Sequence, residues 1–200
     1  LAGLRSRRIR RYRSTTCSQH KRAIAPNVLA QDFIATAPNQ KWVTDITSIP
    51  TAEGRLYLAA LMDLYSRIIV GWAMEAHMRD ELTIKGLEMA LDRRQPPAEL
   101  LHPSDRGSQY ASDDYGAVLV KAKVVRSMSR TGNVYDNAPM ESFFATLKME
   151  LIHHRRYRTR QEARNEIFEY IEVFYNRQRV HSALDYQSPV EFESKLLTVP

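Results

Sequence analysis

The sequence predicts a mixed α/β domain: five strands in one sheet, three antiparallel and then two more, with helices packed on it. Three observations carry this. Apolar or β-branched runs follow one another through short links between Trp42 and Met74, as in an antiparallel meander. Beyond them, stretches with helical spacing alternate with short strand-like runs. A hydrophobic fraction of 44% over 200 residues supplies a core for one domain plus extensions.

In chain order, residues 1–40 read as a basic arm and linker, 41–158 as the core domain and 159–200 as a C-terminal helical extension. The arm holds Arg5, Arg7, Arg8, Arg10, Arg11, Arg13, Lys21 and Arg22 with no acidic residue among them. It suits phosphate contacts, and equally a solvated tail. Trp42 to Ile49 is the first strand, stopped by Pro50, with a turn at Thr51-Ala52-Glu53-Gly54. Leu56 to Leu64 is almost continuously apolar, as in a strand buried on both faces. Tyr65-Ser66-Arg67 leads to a third strand, Ile68 to Met74. A helix capped by Asp80 follows, with Ile84, Leu87 and Leu91 on its buried side, and Pro96 and Pro97 end it. A short strand from Leu100 ends near Asp105. Ser112 caps the next helix, whose stripe is Tyr115, Val118, Leu119 and Ala122. Val124 to Met128 is the fifth strand. A third helix runs from near Asn137 to about His154. The fourth begins at Thr159, which forms a capping box with Glu162 and carries the stripe Ala163, Ile167, Tyr170, Ile171 and Phe174.

Composition excludes several classes. Cys17 is the only cysteine, so the chain has no internal disulfide and no zinc site built on several cysteines. A reducing, cytoplasmic setting fits. No apolar run is long enough to span a bilayer and no signal peptide opens the chain. The chain starts at Leu1 rather than Met, and is expected to be a fragment or a processed product. The net charge of +6 points to polyanions.

The chemistry is sought in carboxylates that converge. Asp45 sits mid-strand among apolar and β-branched neighbours, where a charge costs desolvation energy unless it is paired or binds metal. Asp105 lies at the end of the fourth strand, where sites form in such sheets. Glu141 falls in the first turns of the third helix, beside Pro139. Three hard oxygen ligands suit Mg²⁺ or Mn²⁺, and a pair of such ions serves phosphoryl transfer. Lys148, two helical turns after Glu141, projects from the same face toward a phosphate. Taken singly, each acid has an ordinary role: Asp45 bonded to the Thr44 or Thr47 hydroxyls, Asp105 as a turn residue before Gly107, Glu141 near a helix start.

The longer text TAPNQKWVTDITSIPT, LYLAALMDLYSRIIVGWAM, SDRGSQYAS, SMSRTGNVYDNAPMESFFATLKMEL and YNRQRVHSALDYQSP resembles the second-frame transposases of bacterial insertion sequences, members of the retroviral-integrase superfamily. The resemblance runs from about Ala25 to Glu193. It implies a ribonuclease-H-like fold and an Asp, Asp, Glu triad whose last two members have 35 residues between them, as Asp105 and Glu141 do here. By resemblance, Asp45, Asp105 and Glu141 hold Mg²⁺ or Mn²⁺, two ions in all, and Lys148 is the basic residue that follows the Glu. The implied reaction frees a 3′-OH at the element's end, which then attacks another phosphodiester with no covalent enzyme–DNA intermediate. Implied partners are the element's ends and target DNA, further copies of this chain on DNA, and a first-frame helix-turn-helix protein. The implied location is the bacterial cytoplasm and nucleoid. Pro103 stands where the family has His, and is expected to shift the strand carrying Asp105; Val134 stands where a Cys is common.

Of the remaining residues, Asp63 reads as structural, holding the turn after it. Asp136 and Asn137 read as helix caps first and active-site contacts second, and His102 and His181 as structural histidines first and as groups that touch DNA or support the site second. His153 and His154 are adjacent and cannot face one metal together. Arg155, Arg156, Arg158 and Arg160 form a basic cluster expected to meet DNA backbone. Two other functions fit the composition: a nuclease of similar fold that cuts without joining, and a non-catalytic DNA-binding fragment.

Overall fold

The structure, a computed structural model, describes residues 24–129 and 137–197. The basic run up to Arg22, Cys17, Val134 and Asp136 lie outside the described residues. The elements are β1 (Trp42–Thr51), β2 (Gly54–Asp63), β3 (Ile69–Glu75), α1 (Asp80–Arg94), β4 (Leu101–Ser104), α2 (Asp113–Lys121), β5 (Val125–Met128), α3 (Ala138–Glu150), α4 (Arg160–Glu169) and α5 (Pro189–Ser194).

β1, β2 and β3 form the expected antiparallel meander. β1 runs two residues past the predicted stop. Pro50 pairs opposite Arg55 near the hairpin end, where no further strand asks for its missing N–H. The strands are buried on both faces because each alternates between two cores. Leu56, Leu58, Ala60 and Met62 of β2 face one cluster with α3 and α4, while Ala59 and Leu61 face the other with α1 and α2.

β4 and β5 pair in parallel, and Pro103 sits in regular register opposite Ser127. What the proline alters is the other side of β4. Leu101 donates its N–H to the Gln40 carbonyl at 2.9 Å, in a lone bridge to the start of β1. The next rung of a parallel ladder would run from residue 103 to the Trp42 carbonyl, and proline has no N–H to give. His102 Nδ1 takes that carbonyl instead, at 2.8 Å. The five strands therefore split into a three-stranded and a two-stranded sheet, joined at one backbone bridge and one imidazole.

The helices differ from expectation at their edges. Asp80 is the first residue of α1 rather than its cap. Arg79 holds the cap position without a side-chain bond, and Asp80 and Glu81 instead meet the positive end of the helix. The buried face of α1 is Leu82, Thr83, Gly86, Leu87 and Ala90, rotated from the predicted stripe toward small residues, so the helix lies close on β3. Gln95, in a left-handed conformation, ends it one residue before Pro96. Ser112 caps α2 as predicted, accepting from the Tyr115 N–H at 3.2 Å. Thr159 caps α4, but Glu162 reaches back to the Arg158 N–H, one residue short of a reciprocal box. The full box belongs to Ser188 and Glu191 at α5.

After α4 the chain widens into π-helical turns over Tyr170–Tyr175. Tyr170, Ile171 and Tyr175 face the core, whereas Phe174 is exposed. The widened end delivers Asn176 to β3, where its Oδ1 accepts the Ile69 N–H at 2.9 Å and its Nδ2 donates to the Ile69 carbonyl at 3.1 Å. One amide thus covers part of an open strand edge. No described helix is long and apolar enough to cross a membrane.

Candidate active site

Asp45 lies in the middle of β1, opposite Ala60, on the sheet face that meets α3. Its Oδ1 accepts the N–H of Ile46 at 2.7 Å. The Thr44 hydroxyl is turned the other way, bonded to the Ala60 carbonyl at 3.0 Å and within 3.2 Å of the Tyr110 hydroxyl, so it does not satisfy Asp45. Asp105 follows the last residue of β4, and its Oδ1 accepts the Gly107 N–H at 2.7 Å. That bond fixes the carboxylate at the strand mouth in an Asx turn. Glu141 lies in the first turn of α3, with Lys148 in the last.

Electrostatics ties the four together. Burial pushes the Asp45 carboxyl up to about 7; the negative charge of Asp105 adds to this and that of Glu141 adds less, while Lys148 opposes. Burial raises Glu141 as well and lowers Lys148, against the pull of Asp45. Among the described residues no three acidic, His or Cys side chains converge tightly enough to enclose an ion as they stand. The donor set nonetheless fits a hard divalent cation: three carboxylates and no softer ligand, with like-charge repulsion at Asp45 that such an ion would relieve.

The supporting shell is polar and closed. The Trp42 carbonyl can only accept, so His102 carries its proton on Nδ1, and Nε2 accepts from the Tyr115 hydroxyl at 2.6 Å. His102 is fully buried, and burial lowers its pKa to about 4. An imidazole neutral in the fold but free to protonate near 6.5 when unfolded contributes stability that is present above pH 6.5 and lost as pH falls toward 4. Asp45 drifts oppositely over the same range, so the test is a difference. The stability advantage of wild type over His102→Gln, from urea unfolding, should shrink steadily between pH 6.5 and 4. A constant advantage would contradict the buried neutral imidazole.

Asn137 stands at the N-cap position of α3 but makes no capping bond with its side chain. Its amide donates to the Thr44 carbonyl at 3.2 Å, holding the start of α3 against the strand that bears Asp45. The sequence reading put capping first for this residue; the tie to β1 takes its place. Asp63 is structural as read: it is fully buried, accepts the Tyr65 N–H at 2.8 Å and the Asn39 N–H at 2.7 Å, and Arg94 lies 3.7 Å away. In the basic cluster, Arg155 pairs with Glu166 at 2.9 Å and Arg160 donates to the Glu53 carbonyl at 2.6 Å, while Arg156 and Arg158 are exposed.

Comparison with known proteins decides the family. Two profiles described as integrase core domain match, one over residues 35–134 and the other over residues 141–197. The chain is 53% identical over 192 residues to the uncharacterized 31 kDa protein of insertion element IS600 from Shigella sonnei, covering 96% of this chain and 71% of that protein. It is 45% identical over 195 residues to transposase InsF for insertion sequence IS3A of Escherichia coli, covering 98% and 68%. The chain belongs to the insertion-sequence transposases with an integrase core domain. Another transposase, for insertion sequence element IS904 of Lactococcus lactis, is 51% identical over 168 residues, covering 84% of this chain and 66% of that one. Solved structures agree in fold. A chain of the simian T-cell lymphotropic virus intasome bound to the PP2A regulatory subunit B56 gamma superimposes with a TM-score of 0.70 at 15% identity, covering 92% of this chain and 63% of that one. The HTLV-2 integrase catalytic core in complex with magnesium gives 0.62 at 14% identity, covering 80% and 99%. This transposase therefore has the ribonuclease-H-like integrase fold that its sequence predicts.

Proposed function

We propose that the chain is the catalytic part of a transposase that frees a 3′ end of an insertion sequence and joins it to target DNA. The observation that carries the assignment of residues is the electrostatic coupling of Asp45 to Asp105 and Glu141 across a strand, a strand mouth and a helix start. Asp45, Asp105 and Glu141 would hold Mg²⁺ or Mn²⁺, two ions in all, and the chemistry such ions supply when bound is activation of the attacking oxygen and stabilisation of the leaving one. Lys148, whose charge is disfavoured by burial and favoured by Asp45, offers a positive charge to the phosphate under attack. Arg156 and Arg158, with Arg155 once released from Glu166, meet DNA backbone beyond the site. Residues 41–158 form the catalytic core, 159–200 its helical extension, and 1–40 a basic arm and linker. Joining two ends calls for more than one copy of the chain on DNA, with a first-frame helix-turn-helix protein to recognise the ends, in the bacterial cytoplasm.

The test is cleavage and joining of a labelled duplex carrying the parent element's end, in Mg²⁺ or Mn²⁺, by wild type and by Glu141→Gln. That change keeps size and hydrogen bonding while removing a ligand charge. Products that need the metal and vanish in the variant support the reading. Cutting without joining would favour a nuclease, and DNA binding without any product would favour a non-catalytic fragment. Products insensitive to Glu141→Gln would remove the site assignment.

A further inference from the structure

On the same sheet face as Asp45, two residues farther from the β1–β2 turn, Val43 is opposite Met62. There the face opens into a groove of about 700 Å³ between α3 and the segment Arg179–Tyr186. Ser142 of α3, the neighbour of Glu141, is on its wall. The YNRQRVHSALDY stretch, to which the catalytic proposal gives no role, builds the opposite wall.

Its charges are unusual. Arg67 is half-buried, held at φ +63° by the β2–β3 turn, and lines the groove with no hydrogen bond or ion pair for its guanidinium among the described residues. Burial lowers its pKa, and the nearby Tyr175 hydroxyl opposes this. His181 packs edge-on to Tyr175 at 4.9 Å, and its buried Nε2 has no partner among the described residues. Arg179 is already paired with Glu150, so its charge is compensated. Among the described residues, a guanidinium with no acid paired to it and an imidazole nitrogen with no partner together call for an anion that also accepts hydrogen bonds. The rest of the lining mixes apolar and aromatic side chains, including Phe33 and the exposed Tyr186, with the small hydroxyls of Ser142, Thr146 and Ser182.

We propose that this groove is a nucleotide subsite, taking one unpaired nucleotide of the DNA strand that enters the carboxylate site, with its phosphate on Arg67 and its base against the rings of Phe33 and Tyr186. The assignment rests on the transposase reading and deepens it. A half-open groove of this volume has room for one nucleotide but not for a base-paired helix, and aromatic walls bind bases by stacking without regard to sequence. The groove then keeps the end of the element unpaired beside Glu141, so that the scissile phosphate is presented on a single strand.

The experiment uses a duplex carrying the element's end, fully paired or with its last two nucleotides mismatched, and 2-aminopurine at the first unpaired position. With wild type, stacking should quench the 2-aminopurine, and the mismatched end should bind about tenfold more tightly than the paired one. Two variants should erase the preference while holding paired-duplex affinity to within about twofold. Arg67→Asn removes the charge with a residue that tolerates a left-handed backbone, and Ala183→Trp fills the groove from its exposed rim. Absence of preference or of quenching with wild type overturns the subsite, and that measurement does not depend on either variant folding. Variants that weaken both duplexes alike would reduce Arg67 to a general backbone contact and also overturn it. Preference without metal-dependent cleavage would keep the subsite and defeat the catalytic reading, so the two fail separately.

Discussion

Replacing Asp45 by Asn is expected to end metal-dependent cleavage and joining while making the protein harder to unfold. Loss of one carboxylate ligand removes several kcal/mol of transition-state stabilisation, about 10³-fold or more in rate. The stability gain follows from sign. The Asp45 carboxyl sits near 7 in the fold against 3.8 for a free one, because burial and the charges of Asp105 and Glu141 disfavour its ionised form. Such a group weakens the fold as pH rises from 3.8 to 7, and the loss is complete above 7. At pH 8 without metal, Asn should stabilise by at least about 1 kcal/mol, a rise of about 2–4 °C in Tm for a chain of this size. Adding Mg²⁺ should reverse the order, raising the wild-type Tm and leaving the variant unmoved. Calorimetry with Mg²⁺ and with EDTA, run beside the cleavage assay, checks both halves. A variant that melts lower in EDTA, or one that still cleaves, would defeat the assignment.

Gly71→Ala should destabilise more than any other small substitution on the face opposite the carboxylates. A Cβ there would overlap the Gly86 carbonyl oxygen and lie 2.6 Å from Ala90 Cβ and 2.8 Å from Ala90 N, the backbone and a stub of α1. None of these can swing aside, so α1 must lift from β3, at a cost of about 3 kcal/mol. Gly86→Ala is the control. Its Cβ meets Leu61 Cδ1 at 3.2 Å, the tip of a flexible side chain, and the gain in helix propensity of about 1 kcal/mol offsets the crowding. Urea midpoints should therefore separate the two glycines widely. Equal midpoints would mean that α1 is not seated as closely as the structure has it.

Much of this arrangement was legible because its physics is local. The meander was visible in Leu56–Leu64, whose unbroken apolar run is what two-sided burial demands, and Ser112 announced its helix by chemistry alone. The acids were legible as types in the right elements, and their mutual coupling is what the fold adds. What escaped the sequence depends on contacts distant in the chain. The rotated face of α1 follows from Gly71, a residue on another element. The π-helical turns follow from bringing Asn176 to the edge of β3, 107 residues away in the chain. The groove beside α3 needed Arg67, which read as part of a turn, and His181, which read as structural first and as a DNA contact second. Their meeting in one groove has no signal until the chain closes on itself.

The proline in β4 has a mechanical consequence. Asp45 and Asp105 belong to two sheets stitched at Lys41–Leu101 and by His102, so the joint between them is softer than either sheet. Any slight opening of that joint changes the distance between the two carboxylates directly. On the proposed assignment of Asp45 and Asp105, a site that closes around one phosphate geometry to cut and another to join would be mounted on a compliant seam, with the imidazole of His102 as its spring.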